Sequence, residues 1–268
     1  MTNTLPSDEI LAKFAKLLHQ LTGNRLASNK KNLLSARLNK RLTELKLKSY
    51  DEYYKHLISP ENSLEVQAFI DAMTTNETHF FRENKHFTFF EEQLNEMAGT
   101  RMVRVWSAAC STGQEPYSIA FTLEESPVTW WQLVATDINK HALSTAQEGI
   151  YPKEMFFDEI PQKLRFKYCS DQSHVEDNKF RVKRSLISKI QFKQANLNKT
   201  FPEIGTFDFI FLRNVLIYFS DDDIKNIITR VTDKLKNNGY LFLGHSESIG
   251  KYDTKLRQIA PTVYQYKH

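Results

Sequence analysis

Apolar positions recur at helical spacing through the first quarter of the chain and in short β-rich runs after it. After Ser7, a good helix cap, Ile10, Phe14, Leu17, Leu18 and Leu21 share one helical face until Thr22-Gly23-Asn24 breaks the pattern. Leu34, Leu38, Leu42 and Leu45 form a second stripe. Ser49-Tyr50-Asp51-Glu52 has capping-box spacing, and Ser59-Pro60 opens a further predicted helix through Leu64, Phe69, Ile70 and Met73. Residues 1–75 are therefore expected to form a small helical bundle.

From Met102 onward the period changes. Runs at residues 102–107, 132–136, 190–194, 207–212 and 240–243 alternate with helical segments, the pattern of a mostly parallel sheet covered on both faces. A doubly wound α/β domain is the expected fold. Residues 151–188 interrupt the alternation with Pro152, Pro161, a polar stretch and a strand-like Phe180-Arg181-Val182-Lys183, and are expected to be an inserted subdomain.

In an open parallel sheet, ligands bind beyond the carboxyl ends of the strands, so the residues following each strand carry the candidate chemistry. The first predicted strand leads into Ala108-Ala109-Cys110-Ser111-Thr112-Gly113-Gln114-Glu115-Pro116, small residues that admit a ligand close to the backbone. The loop has neither the glycine pattern of dinucleotide sites nor that of phosphate loops, which favours a cofactor without phosphates. Asp137 ends the next strand, placed to accept from ribose hydroxyls, to cap a helix beginning at Ile138, or to do both. Asn196-Leu197 and Arg213-Asn214 follow later strands. A buried Arg213 needs partners, supplied by a ligand or by an internal carboxylate. Residues 74–83, dense in polar groups flanked by Phe80 and Phe81, are too rich in such groups for an ordinary linker and are expected to join the site.

Composition narrows the class. With 41% hydrophobic residues in 268, the chain can bury one good core and a smaller satellite. No apolar run is long enough to span a membrane and the N-terminus does not read as a secretion signal, so a cytoplasmic protein is expected. Cys110 and Cys169, far apart in sequence, argue against a disulfide framework or a thiolate metal site, and no metal is expected. The net charge of +4 is modest, but its excess is local: Lys30, Lys31, Arg37, Lys40, Arg41, Lys46 and Lys48 stand against Glu44 alone. At about 100° per residue, Lys30, Arg37, Arg41 and Lys48 fall along one edge of the leucine stripe. This ridge is either a solvated face or a docking surface for an acidic helix or nucleic acid.

Together, Thr74-Thr75-Asn76-Glu77-Thr78 with Phe80-Phe81-Arg82-Glu83, the 108–113 loop with Glu115-Pro116-Tyr117-Ser118, Ala135-Thr136-Asp137-Ile138, residues 211–219 and Gly244-His245-Ser246-Glu247-Ser248 resemble the chemotaxis receptor methyltransferase (CheR) family over nearly the whole chain. The resemblance implies a Rossmann-like class I methyltransferase domain at 86–268 with an inserted β-subdomain at about 151–188. It also implies an N-terminal receptor-contacting domain at 1–75 and a linker at 76–85 that contributes to the cofactor site. The implied cofactor is S-adenosylmethionine, leaving S-adenosylhomocysteine as product, with contacts from Asn76, Thr78, Arg82, Glu115, Asp137, Asn196, Leu197, Arg213 and Asn214. Gln114 departs from the family, which often has an acid there. Arg82 and Tyr218 are the candidates for positioning the reacting groups, though Arg82 equally suits holding the loop or cofactor and Tyr218 equally suits packing.

The implied acceptors are glutamate side chains on the cytoplasmic helices of a chemoreceptor, contacted by Lys30, Arg37, Arg41 and Lys48. Some relatives grip a receptor tether peptide with the inserted subdomain, but residues 170–178 lack the glycine expected of that loop. Glutamate is ionised at neutral pH and needs no general base, so His79 and His245 are assigned structural roles. A nucleic-acid methyltransferase is disfavoured because Arg213-Asn214-Val215-Leu216 stands where base amino-methyltransferases carry an Asp/Asn-Pro-Pro-aromatic motif. A cofactor-binding adaptor is the other alternative. Nothing calls for more than a monomer.

Overall fold

The computed structural model describes residues 5–99, 102–171, 178–250 and 255–267. Its first part is a helical bundle of α1 (Asp8–Thr22), α2 (Lys31–Glu44), α3 (Tyr50–Ile58) and α4 (Ser63–Met73). The Ser7 hydroxyl accepts from the Ile10 amide and Gly23 closes α1 in a left-handed turn (φ 83°), as the sequence pattern predicts. Phe14 is fully buried against Tyr53 and Phe69, and Leu34, Leu38 and Leu42 fill the same core.

Two local expectations change. Ser49 caps α3 at the Glu52 amide, but Glu52 reaches back to the Lys48 amide and leaves Ser49's own amide out of the box. Pro60 opens a 3-10 turn (Pro60–Asn62) ahead of α4, and the shift in phase leaves Leu64 88% exposed.

The second part is a seven-stranded sheet. In chain order its elements are α5 (Lys85–Glu96), β1 (Val103–Ala108), α6 (Gln114–Glu125), β2 (Trp131–Asp137) and α7 (Lys140–Glu148). The insertion follows as β3 (Ile150–Pro152), α8 (Lys153–Phe156), α9 (Gln162–Tyr168), β4 (Cys169–Asp171), β5 (Lys179–Val182) and α10 (Arg184–Ile187). Last come β6 (Ile190–Gln194), β7 (Phe207–Leu212), α11 (Asp221–Thr232), β8 (Leu235–Leu243), β9 (Leu256–Ala260) and β10 (Val263–Tyr266). The strand order is β6-β2-β1-β7-β8-β10-β9, parallel from β6 to β8, with β10 antiparallel to both β8 and β9. Met102 lies outside β1 and is exposed.

Strand residues alternate between two cores, as a period of two requires. Phe209, Phe211, Tyr240 and Phe242 face α5 and α6, where Phe87, Phe90 and Phe121 meet them. Ile210, Leu212, Leu241 and Leu243 face α11 through Ile227, Ile228 and Val231. Phe211 and Phe242 stack across neighbouring strands at 4.3 Å between ring centroids.

The insertion is a separate three-stranded antiparallel sheet, β3-β5-β4. Part of the glycine-free stretch at 170–178, residues 172–177, lies outside the described residues. Among the described residues, no helix is long and apolar enough to cross a membrane.

Candidate cofactor site

The strand order reverses between β1 and β7, and a cleft partly open to solvent lies at their carboxyl ends. The loop after β1 forms its floor. The Ala109 and Cys110 amides both donate to the Thr136 carbonyl, at 2.8 and 2.9 Å, which turns the chain sharply out of the sheet. Gly113 then enters α6 at φ 101°, where a Cβ would press on the Ala146 side chain and the Tyr151 hydroxyl. Ala109 (φ 71°) and Ser111 (φ 50°) hold left-handed backbone without being glycine, at a cost of order 1–3 kcal/mol each, borne by the packing around them.

Asp137 stands at the end of β2 with its carboxyl buried. Oδ2 accepts from the Ser111 amide at 2.8 Å and Oδ1 from the Asn139 amide at 2.9 Å. Burial pushes its pKa above the usual carboxylate range, and these amide bonds pull the other way. The side chain does not cap the next helix. Asn139 does, accepting from the Ala142 amide at 2.8 Å, because α7 starts at Lys140 rather than Ile138.

Arg213, buried at the end of β7, takes the internal alternative. It donates to Glu115 and to Glu83, each at 3.1 Å, and also to the Arg82 carbonyl. Glu115 also accepts from Ser107 at 2.7 Å. Burial raises the Glu115 carboxyl, with the Arg213 charge opposing. Burial would raise Glu83 as well, but the His245 amide, the Arg213 charge and the Asn214 amide group hold it below its ordinary value.

Asn214 (φ 56°) donates its side chain to Glu83 at 3.1 Å and its backbone amide to Glu247 at 2.8 Å. Glu247 also gathers the amides of Leu216 and Gly244 at 2.7 Å each, so one buried carboxylate shapes the loop after β7. A side chain at position 244 would fall on the Asn214 amide group, which is why glycine stands there.

The 74–83 segment crosses the cleft and is fastened along its length. The Asn76 carbonyl accepts from Ser111 Oγ at 2.9 Å, the Phe80 amide donates to Glu159 at 2.7 Å, and the Phe81 amide donates to Ser118 Oγ at 2.9 Å. Arg82 donates to the Glu77 carbonyl at 3.2 Å, a loop-holding contact. Tyr218 ends a 3-10 turn beside the cleft, partly buried against the core on the α11 side.

Asn76, Thr78, Arg82, Glu115, Asp137, Asn196, Leu197, Arg213, Asn214 and Tyr218 all line this one cleft. Asn196 is held by donating to the Leu21 carbonyl at 2.8 Å and accepting from the Asn198 amide at 2.9 Å. Thr22 and Asn24 also line the cleft, brought there because the Arg25 amide donates to the Tyr218 carbonyl at 2.8 Å. The sequence marked Thr22-Gly23-Asn24 only as a helix end. The helix stop was its sole signal, since nothing local encodes a contact with residues near 218.

The basic ridge is not four free cations. Arg37 donates to the Met73 and Thr74 carbonyls and to Thr75 Oγ1, tying α2 to the segment that enters the cleft. Arg41 is paired with Glu65 and Glu44. Lys30 and Lys48 are exposed. The reason is that α2 runs only from Lys31 to Glu44, so Lys48 lies beyond it and Lys30 at its cap, while Arg37 and Arg41 meet partners on and just after α4.

The family profile described as "CheR methyltransferase, SAM binding domain" matches residues 76–265, and "CheR methyltransferase, all-alpha domain" matches residues 9–74. The chain is 37% identical to the chemotaxis protein methyltransferase of Escherichia coli K12, covering 96% of this chain and 91% of that protein. It is 38% identical to chemotaxis protein methyltransferase 2 of Pseudomonas aeruginosa (92% and 89% covered), and 35% to the Borreliella burgdorferi chemotaxis protein methyltransferase (95% and 93%). A helical bundle leading into a class I sheet, with the cleft at its switch point, accords with both profiles, and the chain belongs to the CheR family of S-adenosylmethionine-dependent chemotaxis methyltransferases.

Proposed function

We propose that the chain transfers the methyl group of S-adenosylmethionine to glutamate carboxylates on the cytoplasmic helices of a chemoreceptor, giving glutamyl methyl esters in adaptation. The observation that carries this reading is the convergence of the 74–82 segment, Glu115, Asp137, Asn196, Leu197, Arg213 and Asn214 on one cleft. In this reading residues 1–75 contact the receptor, residues 76–85 link and complete the site, and residues 86–268 carry the methyl-transfer domain.

The donor set suits this cofactor. The Asp137 oxygens hold the Ser111 and Asn139 amides, and a carboxylate has further lone pairs to offer a ribose hydroxyl. The buried Arg213 balances Glu115 and Glu83, so those carboxylates do not stand uncompensated beside the cleft. When bound, S-adenosylmethionine supplies an electrophilic methyl on a sulfonium.

The protein's share is positioning. A glutamate acceptor, with a reference pKa near 4.3, is ionised at neutral pH, so no residue has to remove a proton. Arg82 keeps the 77–82 turn closed through the Glu77 carbonyl, and Tyr218 can orient the acceptor with its hydroxyl. Holding the carboxylate in line and partly dry is an effect that orientation alone makes worth many kcal/mol. Each turnover removes one negative charge from a receptor helix and so biases a two-state receptor. Lys30 and Lys48, exposed on the helical part, supply the attraction for acidic helices.

The test is transfer of radiolabelled methyl from S-adenosylmethionine to receptor-containing membranes. Label that is released by mild base supports glutamyl ester formation, whereas base-stable label or label on nucleic acid would overturn it.

A further inference from the structure

Behind the cleft, Glu83, His86 and His245 bring one carboxylate and two imidazoles together, one ligand-capable atom from each lying within 4.8 Å of the other two. His86 Nδ1 is 3.4 Å from Glu83 Oε2, and His245 Nδ1 is 3.9 Å from Glu83 Oε1. The two rings meet edge to face at 5.6 Å.

His86 is 2% exposed, and its Nδ1 has no hydrogen-bond partner among the described residues. Its other nitrogen explains what Nδ1 carries. The Thr262 hydroxyl lies 2.8 Å from the Pro261 carbonyl and 2.8 Å from His86 Nε2, and both contacts are satisfied together in the tautomer that carries its proton on Nε2. Nδ1 of the neutral ring then presents a lone pair toward a carboxylate oxygen. Two acceptors facing each other in a buried place repel unless a cation lies between them.

We propose that Glu83, His86 and His245 form a binding site for a divalent transition cation of the zinc class. Two imidazoles and one carboxylate, with a fourth position left to water, is an established zinc donor set, and Nε2–H bonded to Thr262 is the outer contact that fixes a ligating ring. Glu83 Oε2 also accepts from Arg213 at 3.1 Å, so the cation would share that carboxylate with the guanidinium. A tetrahedral ion asks its donors to stand about 3.3 Å apart. The His86–Glu83 separation already meets this, and His245, 58% exposed, is free to swing inward. Sequence spacing hid the cluster: His245 follows β8, whereas Glu83 and His86 precede β1.

The test is calorimetric titration of the intact chain with Zn²⁺ alone, with Co²⁺ absorption as a spectroscopic readout. One equivalent binding at about 10 µM or tighter, with visible bands of a four-coordinate cobalt site, is expected. His245→Ala should weaken binding at least tenfold while melting as wild type does without metal, because its ring is largely solvated. Glu83→Gln should also weaken it. Absence of binding at about 100 µM, or binding that both variants leave unchanged, overturns the site. The measurement involves no methyl transfer, so its outcome is separate from that of the proposed activity.

Discussion

Arg213 sits between Glu83 and Glu115, its two terminal nitrogens each 3.1 Å from a carboxylate of a different segment. One guanidinium thereby joins the strand it ends, the first turn of α6 and the crossing segment. Arg213→Met would leave two buried carboxylates uncompensated. The expected loss of unfolding free energy is about 3–5 kcal/mol, read from denaturant titrations. A loss under about 1 kcal/mol would show that this triad does not hold the segments together.

Asp137→Ala removes the acceptor for the Ser111 and Asn139 amides and the lone pairs proposed for the ribose. S-adenosylhomocysteine should bind at least tenfold more weakly, about 1.4 kcal/mol, by calorimetry. Equal affinity would remove Asp137 from the cofactor contacts.

Arg37 and the exposed lysines should separate cleanly. Arg37→Ala strands two carbonyls at the entrance to the cleft, so stability should fall by about 1–3 kcal/mol and S-adenosylhomocysteine affinity should fall with it. Lys30→Glu combined with Lys48→Glu should leave that affinity unchanged and slow receptor methylation, most clearly at low salt. If Arg37→Ala behaved like the lysine pair, the internal role assigned to Arg37 would be wrong.

Glu125 provides the pH signature. Hydrogen bonds from Lys163, Lys167 and Tyr168 bring its pKa down to about 2. A depressed carboxylate stabilises the fold above its unfolded value, and that contribution is lost as pH falls toward 2. The lysines are well exposed, so screening limits the effect to about 1 kcal/mol or less at neutral pH. Glu125→Gln should therefore be slightly less stable than wild type at pH 7 and equal to it near pH 2, measured by thermal melts across pH. A difference that persists at pH 2 would point to packing instead of charge.

By itself the sequence determined whatever depends on neighbours along the chain. The Ser7 cap, the leucine stripe of α2, the strands of the parallel sheet and the small residues after β1 all follow from local periodicity and from where ligands sit relative to strand ends. The residues it named for the cofactor and the reacting groups line one cleft. Tertiary structure decided what depends on distant partners. Arg37 and Arg41 read as surface cations until α4 packs beside α2 and supplies Glu65 and the Met73 carbonyl. Thr22 and Asn24 read as a helix stop until the Arg25 amide reaches Tyr218. The antiparallel β9–β10 pair escaped notice because an edge hairpin carries little hydrophobic signal, and Glu83, His86 and His245 came together only when β8 closed beside β7. A one-dimensional pattern records which face of an element is apolar. Which charged or polar group meets which is settled by the burial that brings the faces together, since an unpaired buried group costs more than a helical register can reveal.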